Sequence, residues 1–332
     1  MAAVAPVEST AEAEPLIRPP YAPSLLTAVE AFQISPERFD LEQLRSSAGP
    51  FSPKPILQAM PDIEHVEHSV PGLNKNDPPV TLSVFRSKSS SNTKRAGVYS
   101  IHGGAQIACT RGTALDFLMG LFIGIDTVFI APEYRLSPEH PAPAALHDSY
   151  AGLLWAVEHA DELGLDPSRI IIHGNSGGAP IACGMAMMCR DDKKVNPLAL
   201  VLFSPMLDDR DCTTSSKQFA HDGPWCGTIN RMAWDMVLGD KRGGSEVSEL
   251  VAPARATDLR GMPQTFIDVG DSEIFRDESV AFASQLWKSG VQCELHVWPG
   301  GFHGFDILSS YTQLARNAAN AKAAWVQRIF SS

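Results

Sequence analysis

A serine flanked by glycines, Gly174-Asn175-Ser176-Gly177-Gly178, lies between the apolar run Ile170-Ile171-Ile172 and the helix-compatible run Ile181 to Met188. Strand, glycine-flanked serine and helix in that order read as a nucleophile elbow, in which the hydroxyl stands at the carboxyl end of the strand. The glycines are needed because a Cβ at those positions would strike the neighbouring strand or helix. The chemistry open to such a serine is nucleophilic acyl transfer. An ordinary strand-to-helix turn uses the same residue types, so the reading depends on whether the rest of the chain supplies oxyanion donors, a general base and an acid to orient that base.

The donors come from an upstream segment. Val98-Tyr99-Ser100-Ile101 runs as a short strand into His102-Gly103-Gly104-Ala105, whose glycines let the backbone turn its amides outward. The amides of Gly104 and Ala105, joined by that of Gly177 just after the serine, are the candidate oxyanion hole, where the loss of one donor costs roughly 3 to 4 kcal/mol of barrier. His102 is read as holding this loop through hydrogen bonds rather than transferring protons. Among ten histidines, His303 is the candidate base. It sits in the glycine-rich loop Gly300-Gly301-Phe302-His303-Gly304-Phe305, after the alternating segment Cys293 to Trp298, and it follows the serine in the order serine, acid, histidine. His65 and His68 have the look of a metal pair, but no third ligand stands near them in the sequence, and His173 reads as a strand-end residue. The acid should lie between serine and histidine at the end of another strand. Thr265 to Gly270 is that strand, and it opens into Asp271-Ser272-Glu273, where spacing alone leaves Asp271 and Glu273 both open.

The elements that must position these groups are legible as alternation. Strand-like runs at Val98 to Ile101, Thr127 to Ile130, Ile170 to Ile172, Leu198 to Phe203, Thr265 to Val269 and Glu294 to Trp298 alternate with helical patterns at Ala144 to Glu162, Ala179 to Arg190, Asp277 to Ser289 and Ser310 to Phe330. Such alternation predicts βαβ units and a mostly parallel central sheet with helices on both faces, its site at the carboxyl ends of the strands. His65 to Val70 and Val80 to Phe85, separated by Pro71-Gly72 and Asn76-Asp77-Pro78-Pro79, predict an antiparallel edge. Arg135, Glu139 and Asp148 are read as ion pairs bracing a loop, and Asp208 and Asp209 similarly.

The 332 residues, 44% of them hydrophobic, are enough for one catalytic domain with a lid. A net charge of −11 argues against nucleic acid or an anionic membrane as the main partner. Met1 to Pro23 is rich in Ala, Pro and Glu and lacks the basic start and apolar stretch of a secretory signal. Six cysteines without C-x-x-C spacing suggest reduced thiols rather than a zinc site or a disulfide framework, and no apolar stretch approaches a membrane span. A cytoplasmic protein is expected, and a homodimer is compatible with the sequence.

Several of these motifs in this order resemble the hormone-sensitive-lipase family of α/β-hydrolase esterases. The resemblance runs from about residue 95 to the end and rests on the His-Gly-Gly loop, Tyr134-Arg135-Leu136-Ser137-Pro138-Glu139-His140-Pro141-Ala142-Pro143-Ala144, the elbow, Ser204-Pro205-Met206-Leu207-Asp208 and Phe302-His303-Gly304-Phe305. It implies the α/β-hydrolase fold with a helical cap. The expected division is a flexible segment 1–23, cap segments 24–60 and 207–258, and a catalytic domain 61–206 with 259–332. Phe219, Trp225, Met232, Trp234 and Met236 in the second cap segment are expected mostly to pack cap against core. The anchor Arg276-Asp277-Glu278, where the family usually reads acid-Pro-Leu-x-Asp-Glu, places Glu273 at the acid position and Asp271 two residues early; Asp271 is then expected to cap the nearby helix. Ala105 stands where the family usually has a third glycine, and the elbow reads Gly-Asn-Ser-Gly-Gly-Ala rather than Gly-Asp-Ser-Ala-Gly-Gly; backbone amides survive both changes. The implied activity is hydrolysis of small or short-acyl carboxylic esters by a Ser176, His303, Glu273 triad with no cofactor or metal. Lactones and amides share that chemistry, while the plant gibberellin receptors, which resemble the family, carry a broken triad and bind small molecules without catalysis.

Overall fold

The computed structural model describes residues 16–89 and 93–331. Eight strands form one sheet: β1 (Ile63–Val70), β2 (Val80–Ser87), β3 (Arg95–Ile101), β4 (Thr127–Glu133), β5 (Leu165–Asn175), β6 (Ala199–Phe203), β7 (Gln264–Gly270) and β8 (Cys293–Trp298). Their order is β1-β2-β4-β3-β5-β6-β7-β8. β2 pairs antiparallel with both β1 and β4, and every other pair is parallel. The antiparallel edge and the parallel centre are those expected from the sequence.

Parallel strands covered on both faces must be apolar on both, and alternation along each strand separates two cores. Tyr99, Ile130, Ile170, Ile172, Leu200, Leu202 and Ile267 face the helices Ala144–Glu158, Ala179–Asp192 and Arg276–Lys288. Val98, Phe129, Ile171, Val201 and Phe266 face the other way, toward Leu115–Gly120 and the C-terminal helix Gln313–Ser331. The helix expected over Ala144 to Glu162 is interrupted at His159 and resumes as Ala160–Leu163, and Leu115–Gly120 lies outside the expected set.

The two segments expected over the site meet in one cluster. Phe219, Ala233, Trp234 and Val237, with Phe39, Leu41 and Leu44 at its margin, pack on Ala105, Ile107, Met206, Ile274 and Phe275. Arg45 fastens the first segment from above, donating from Nε to the carbonyl of Ile107 (2.8 Å) and from Nη2 to the carbonyl of Ser137 (2.9 Å) and to Glu139 (2.7 Å). The helix Lys54–Ala59 does otherwise: Ile56 enters the sheet's own core. Residues 1–15, with the expectation of a flexible start, lie outside the described residues. Residues 16–23 make definite contacts. Arg18 donates to Asp222 (2.6 Å), and the amide of Ala22 donates to the carbonyl of Gly300 (3.0 Å).

One buried charge cluster ties the C-terminal helix to the sheet. Lys322, 2% exposed, places Nζ 2.5 Å from Asp268 on β7 and 2.5 Å from Asp306, three residues beyond His303. Trp298 Nε1 also donates to Asp268 (3.1 Å). A buried ammonium is tolerated only when its charge is answered, and removing it strands two carboxylates away from water. Lys322→Met is therefore expected to cost about 3–5 kcal/mol of stability, measured as the shift of a urea unfolding transition. A loss under about 1 kcal/mol would mean that water reaches these carboxylates.

Candidate active site

Strand register brings the motifs together. Ile101 of β3 pairs with Gly174 of β5, so the chain leaves the two strands side by side as His102-Gly103-Gly104 and Asn175-Ser176-Gly177. β6 lies next to β5, β7 next to β6 and β8 next to β7, which lines up the carboxyl ends as the His102–Gly104 loop, Ser176, Ser204, Glu273 and His303.

At the elbow Ser176 has φ +52°, the left-handed conformation that costs a residue with a Cβ roughly 1–2 kcal/mol. A Cβ on Gly174 would stand 2.7 Å from both Ala179 Cα and Ala182 Cβ, and one on Gly178 would run into the carbonyls of Ile101 and His102. The glycines therefore serve the close approach expected of them. Gly177 abuts the backbone of Ala105, joining elbow to loop.

Ser176 Oγ lies 2.9 Å from His303 Nε2, and His303 Nδ1 lies 2.8 Å from Glu273 Oε2. The Glu273 side chain is 1% exposed, against 15% for His303. Its second oxygen, Oε1, accepts from the amide of Gly270 (3.0 Å) and from Ser204 Oγ (3.0 Å). Because Nδ1 faces a carboxylate, the imidazole holds its proton there and leaves Nε2 bare to accept from the serine hydroxyl. The ring of Phe275 meets the imidazole edge-on at 5.0 Å and limits its tilt. The histidine loop rests on the N-terminal segment, since Phe302 and Phe305 are buried with Leu25, Ala28 and Val29.

Asp271 goes elsewhere. Its Oδ1 accepts from the amide of Gly300 (2.7 Å) and the hydroxyl of Ser272 (2.8 Å), so it braces the base of the histidine loop. It does not cap the following helix, which begins at Arg276; sequence proximity to that helix gave no hint of a bond across to β8's exit.

In the candidate oxyanion loop Gly104, Ala105 and Gln106 have φ of +96°, +52° and +63°. The turn closes through Ile107 and Ala108, whose amides donate to the Gly104 carbonyl at 2.9 and 3.0 Å. Among the described residues, the amides of Gly104 and Ala105 donate to no loop carbonyl. His102 is buried and stacked on Tyr134 at 4.1 Å. Tyr134 donates to the His102 carbonyl (2.9 Å), and burial lowers the histidine to about 4, so it stays neutral. This is the loop-holding part expected of it. The left-handed φ at Ala105 makes its family-atypical methyl a small liability. Ala105→Gly is expected to raise stability by roughly 0.5–1 kcal/mol while retaining the amide and ester turnover within about threefold. Melting temperature and kcat/KM together check this, and a tenfold activity loss would show that the methyl shapes the loop.

The remaining candidates are structural in their contacts. His65 bonds Ser83 (3.0 Å), His68 meets the ring of Trp155 at a tilt, 4.9 Å between centroids, and His173, which burial lowers to about 3, bonds Ser100 (3.1 Å). Arg135 grips Asp148 (2.6 Å), while Asp209 pairs with Arg255 (2.6 Å) and accepts from the amide of Gly243 (2.7 Å). Phe219 and Trp234 are fully buried packing residues, and Trp225 is half-buried, donating to Asn230 (3.2 Å). Sequence reasoning missed Ser204 as the acid's partner; its motif was visible, but nothing in spacing assigns that contact.

A doubly wound sheet with helices on both faces and a serine, histidine and carboxylate gathered at its strand ends defines an α/β hydrolase. The family described as the alpha/beta hydrolase fold matches residues 98–307. The chain belongs to it, within the hormone-sensitive-lipase family that its motifs resemble. Carboxylesterase NlhH of Mycobacterium tuberculosis is 32% identical over 212 residues, which are 62% of this chain and 65% of the relative, so the chain spans just under two thirds of that relative's length. The solved bacterial heroin esterase superposes with a TM-score of 0.84 at 30% identity over 93% of this chain and 98% of its own. Esterase LipW from Mycobacterium marinum gives 0.75 at 27% identity, over 95% and 93%. Among the described residues no helix is long and apolar enough to cross a membrane.

Proposed function

We propose that this chain is a serine hydrolase of small or short-acyl carboxylic esters, working through an acyl-enzyme. The observation that carries the proposal is the continuous hydrogen-bonded line from Ser176 Oγ through both nitrogens of His303 to the buried Glu273. In the proposed reaction Ser176 Oγ attacks the ester carbonyl while His303 Nε2 takes its proton. The carbonyl oxygen becomes an oxyanion facing the amides of Gly104, Ala105 and Gly177. Collapse breaks the bond to the alcohol oxygen, which receives the proton from Nε2 and leaves. Water then loses a proton to His303, attacks the acyl carbonyl and releases the acid, and the proton returns to Ser176. Glu273 stabilises the imidazolium in both halves.

Under this proposal the lid over the site is made of 207–258 and, of the expected 24–60, the part Phe39 to Ala48 that packs with it; Leu25, Ala28 and Val29 pack against Phe302 and Phe305 instead. The receptor reading loses ground to the hydrogen-bonded His303, the group such receptors lack. We place the enzyme in the cytoplasm on the strength of six cysteines that are all unpaired; the homodimer compatible with the sequence is settled by light scattering. The functional test is a matched panel of p-nitrophenyl acetate, butyrate and decanoate, a δ-lactone and an anilide. The expected order is short ester first, with anilide slowest. Preference for the lactone or anilide would replace the ester assignment, and no turnover with any of them would overturn the hydrolase reading.

A further inference from the structure

We propose that Ser204 is a positioning residue for the triad acid, acting on the reaction only through Glu273; this rests on the serine-hydrolase reading above. β6 lies between the strand that carries the nucleophile and the strand that carries the acid, and Ser204 is the first residue past its end. Its hydroxyl donates to Oε1 of Glu273 at 3.0 Å, the oxygen that His303 does not use. Gly270 donates to the same oxygen from the backbone, so the carboxylate is held from two sides while Oε2 points at Nδ1.

Three features give this contact more weight than an ordinary buried serine. Glutamate has one more rotatable bond than the aspartate of shorter-reaching triads, so its carboxylate has more orientations to exclude before it can serve one nitrogen. Ser204 is also in the left-handed region, with φ +41°, and its amide donates to the Asp268 carbonyl at 2.8 Å. Glycine would relieve that strain, yet a hydroxyl-bearing residue occupies the position, and such strain persists where the surroundings over-determine it. Two residues on, the amide of Met206 donates to the carbonyl of Ser176 at 3.2 Å. One tripeptide, Ser204-Pro205-Met206, thus touches the acid by a side chain and the nucleophile by its backbone. Losing a hydrogen bond to a buried charged group corresponds to roughly 10- to 100-fold in rate when the group is needed in the transition state.

The test is a double-mutant cycle with p-nitrophenyl acetate. Ser204→Ala and Ser204→Gly should each lower kcat roughly 10- to 100-fold with KM within about twofold. In a Glu273→Gln background the same two substitutions should change kcat by less than about threefold, because the group they act through is already neutral. A purely structural serine would give equal losses in both backgrounds, which would overturn the inference, as would wild-type kcat in Ser204→Gly. Glycine adopts the observed φ without strain, so this variant decides the matter if the alanine variant fails to fold. Wild-type chain inactive on every ester would instead overturn the parent reading; active wild type with unaffected Ser204 variants overturns this inference alone.

Discussion

Ser176→Ala is expected to lower kcat for short-chain esters by roughly 10⁵- to 10⁶-fold, the scale at which removing a triad nucleophile leaves only oxyanion stabilisation and substrate binding. The expectation follows from the position of Oγ, 2.9 Å from the one nitrogen of His303 free to accept its proton. The alanine should also fold, because its Cβ occupies the space of the serine Cβ and it bears the same cost for the left-handed φ at this residue as serine does. A fluorophosphonate probe should label the wild type once per chain and the alanine variant not at all. Turnover within tenfold of wild type would sink the serine mechanism.

Glu273→Gln is the second large effect, expected at roughly 10⁴-fold in kcat. The amide keeps the shape of the side chain but removes the charge that stabilises the imidazolium. It also offers an N–H where Nδ1 needs an acceptor, which favours the wrong tautomer. The companion change, Asp271→Asn, should cost far less activity because Asp271 bonds the Gly300 amide and Ser272 rather than the imidazole. Its loss should appear instead as a lower melting temperature, from a loosened histidine loop. Equal activity losses in the two variants would show that the loop's anchorage, and not the charge at Nδ1, is what Glu273 supplies.

The parts of this site that were legible in the sequence are those written in local pattern. The elbow was legible because strand, glycine-flanked serine and helix are adjacent in the chain, and the sheet because buried parallel strands leave apolar runs such as Ile170 to Ile172. Asp271 and Glu273 could not be separated by spacing, since both leave the same strand; the motif resemblance favoured Glu273, and in the fold it is the carboxylate beside Nδ1. What stayed hidden depends on contacts between distant segments. Lys322 sits in the C-terminal helix, where the sequence gives no sign of its burial, yet it is buried against two aspartates 16 and 54 residues upstream. Residues 16–23 have no periodicity to betray that they dock on the histidine loop and on Asp222. Left-handed Ala105 and Ser204 are equally silent, because backbone strain leaves no compositional trace outside glycine.

The ammonium of Lys322 has a consequence for the order in which the fold comes into being. Synthesis runs from the amino end, so Ser176, Glu273 and His303 are all incorporated before Lys322, the cation that among the described residues pairs with both Asp268 and Asp306. Until it arrives, β7 and the segment after His303 each carry a carboxylate that resists burial, and the strands that lead to Glu273 and His303 have reason to remain open to solvent. A chain that ends before residue 322 should therefore fail to close these strands, and a premature stop in the last helix should yield a product open to proteolysis rather than a folded domain with a weakened site.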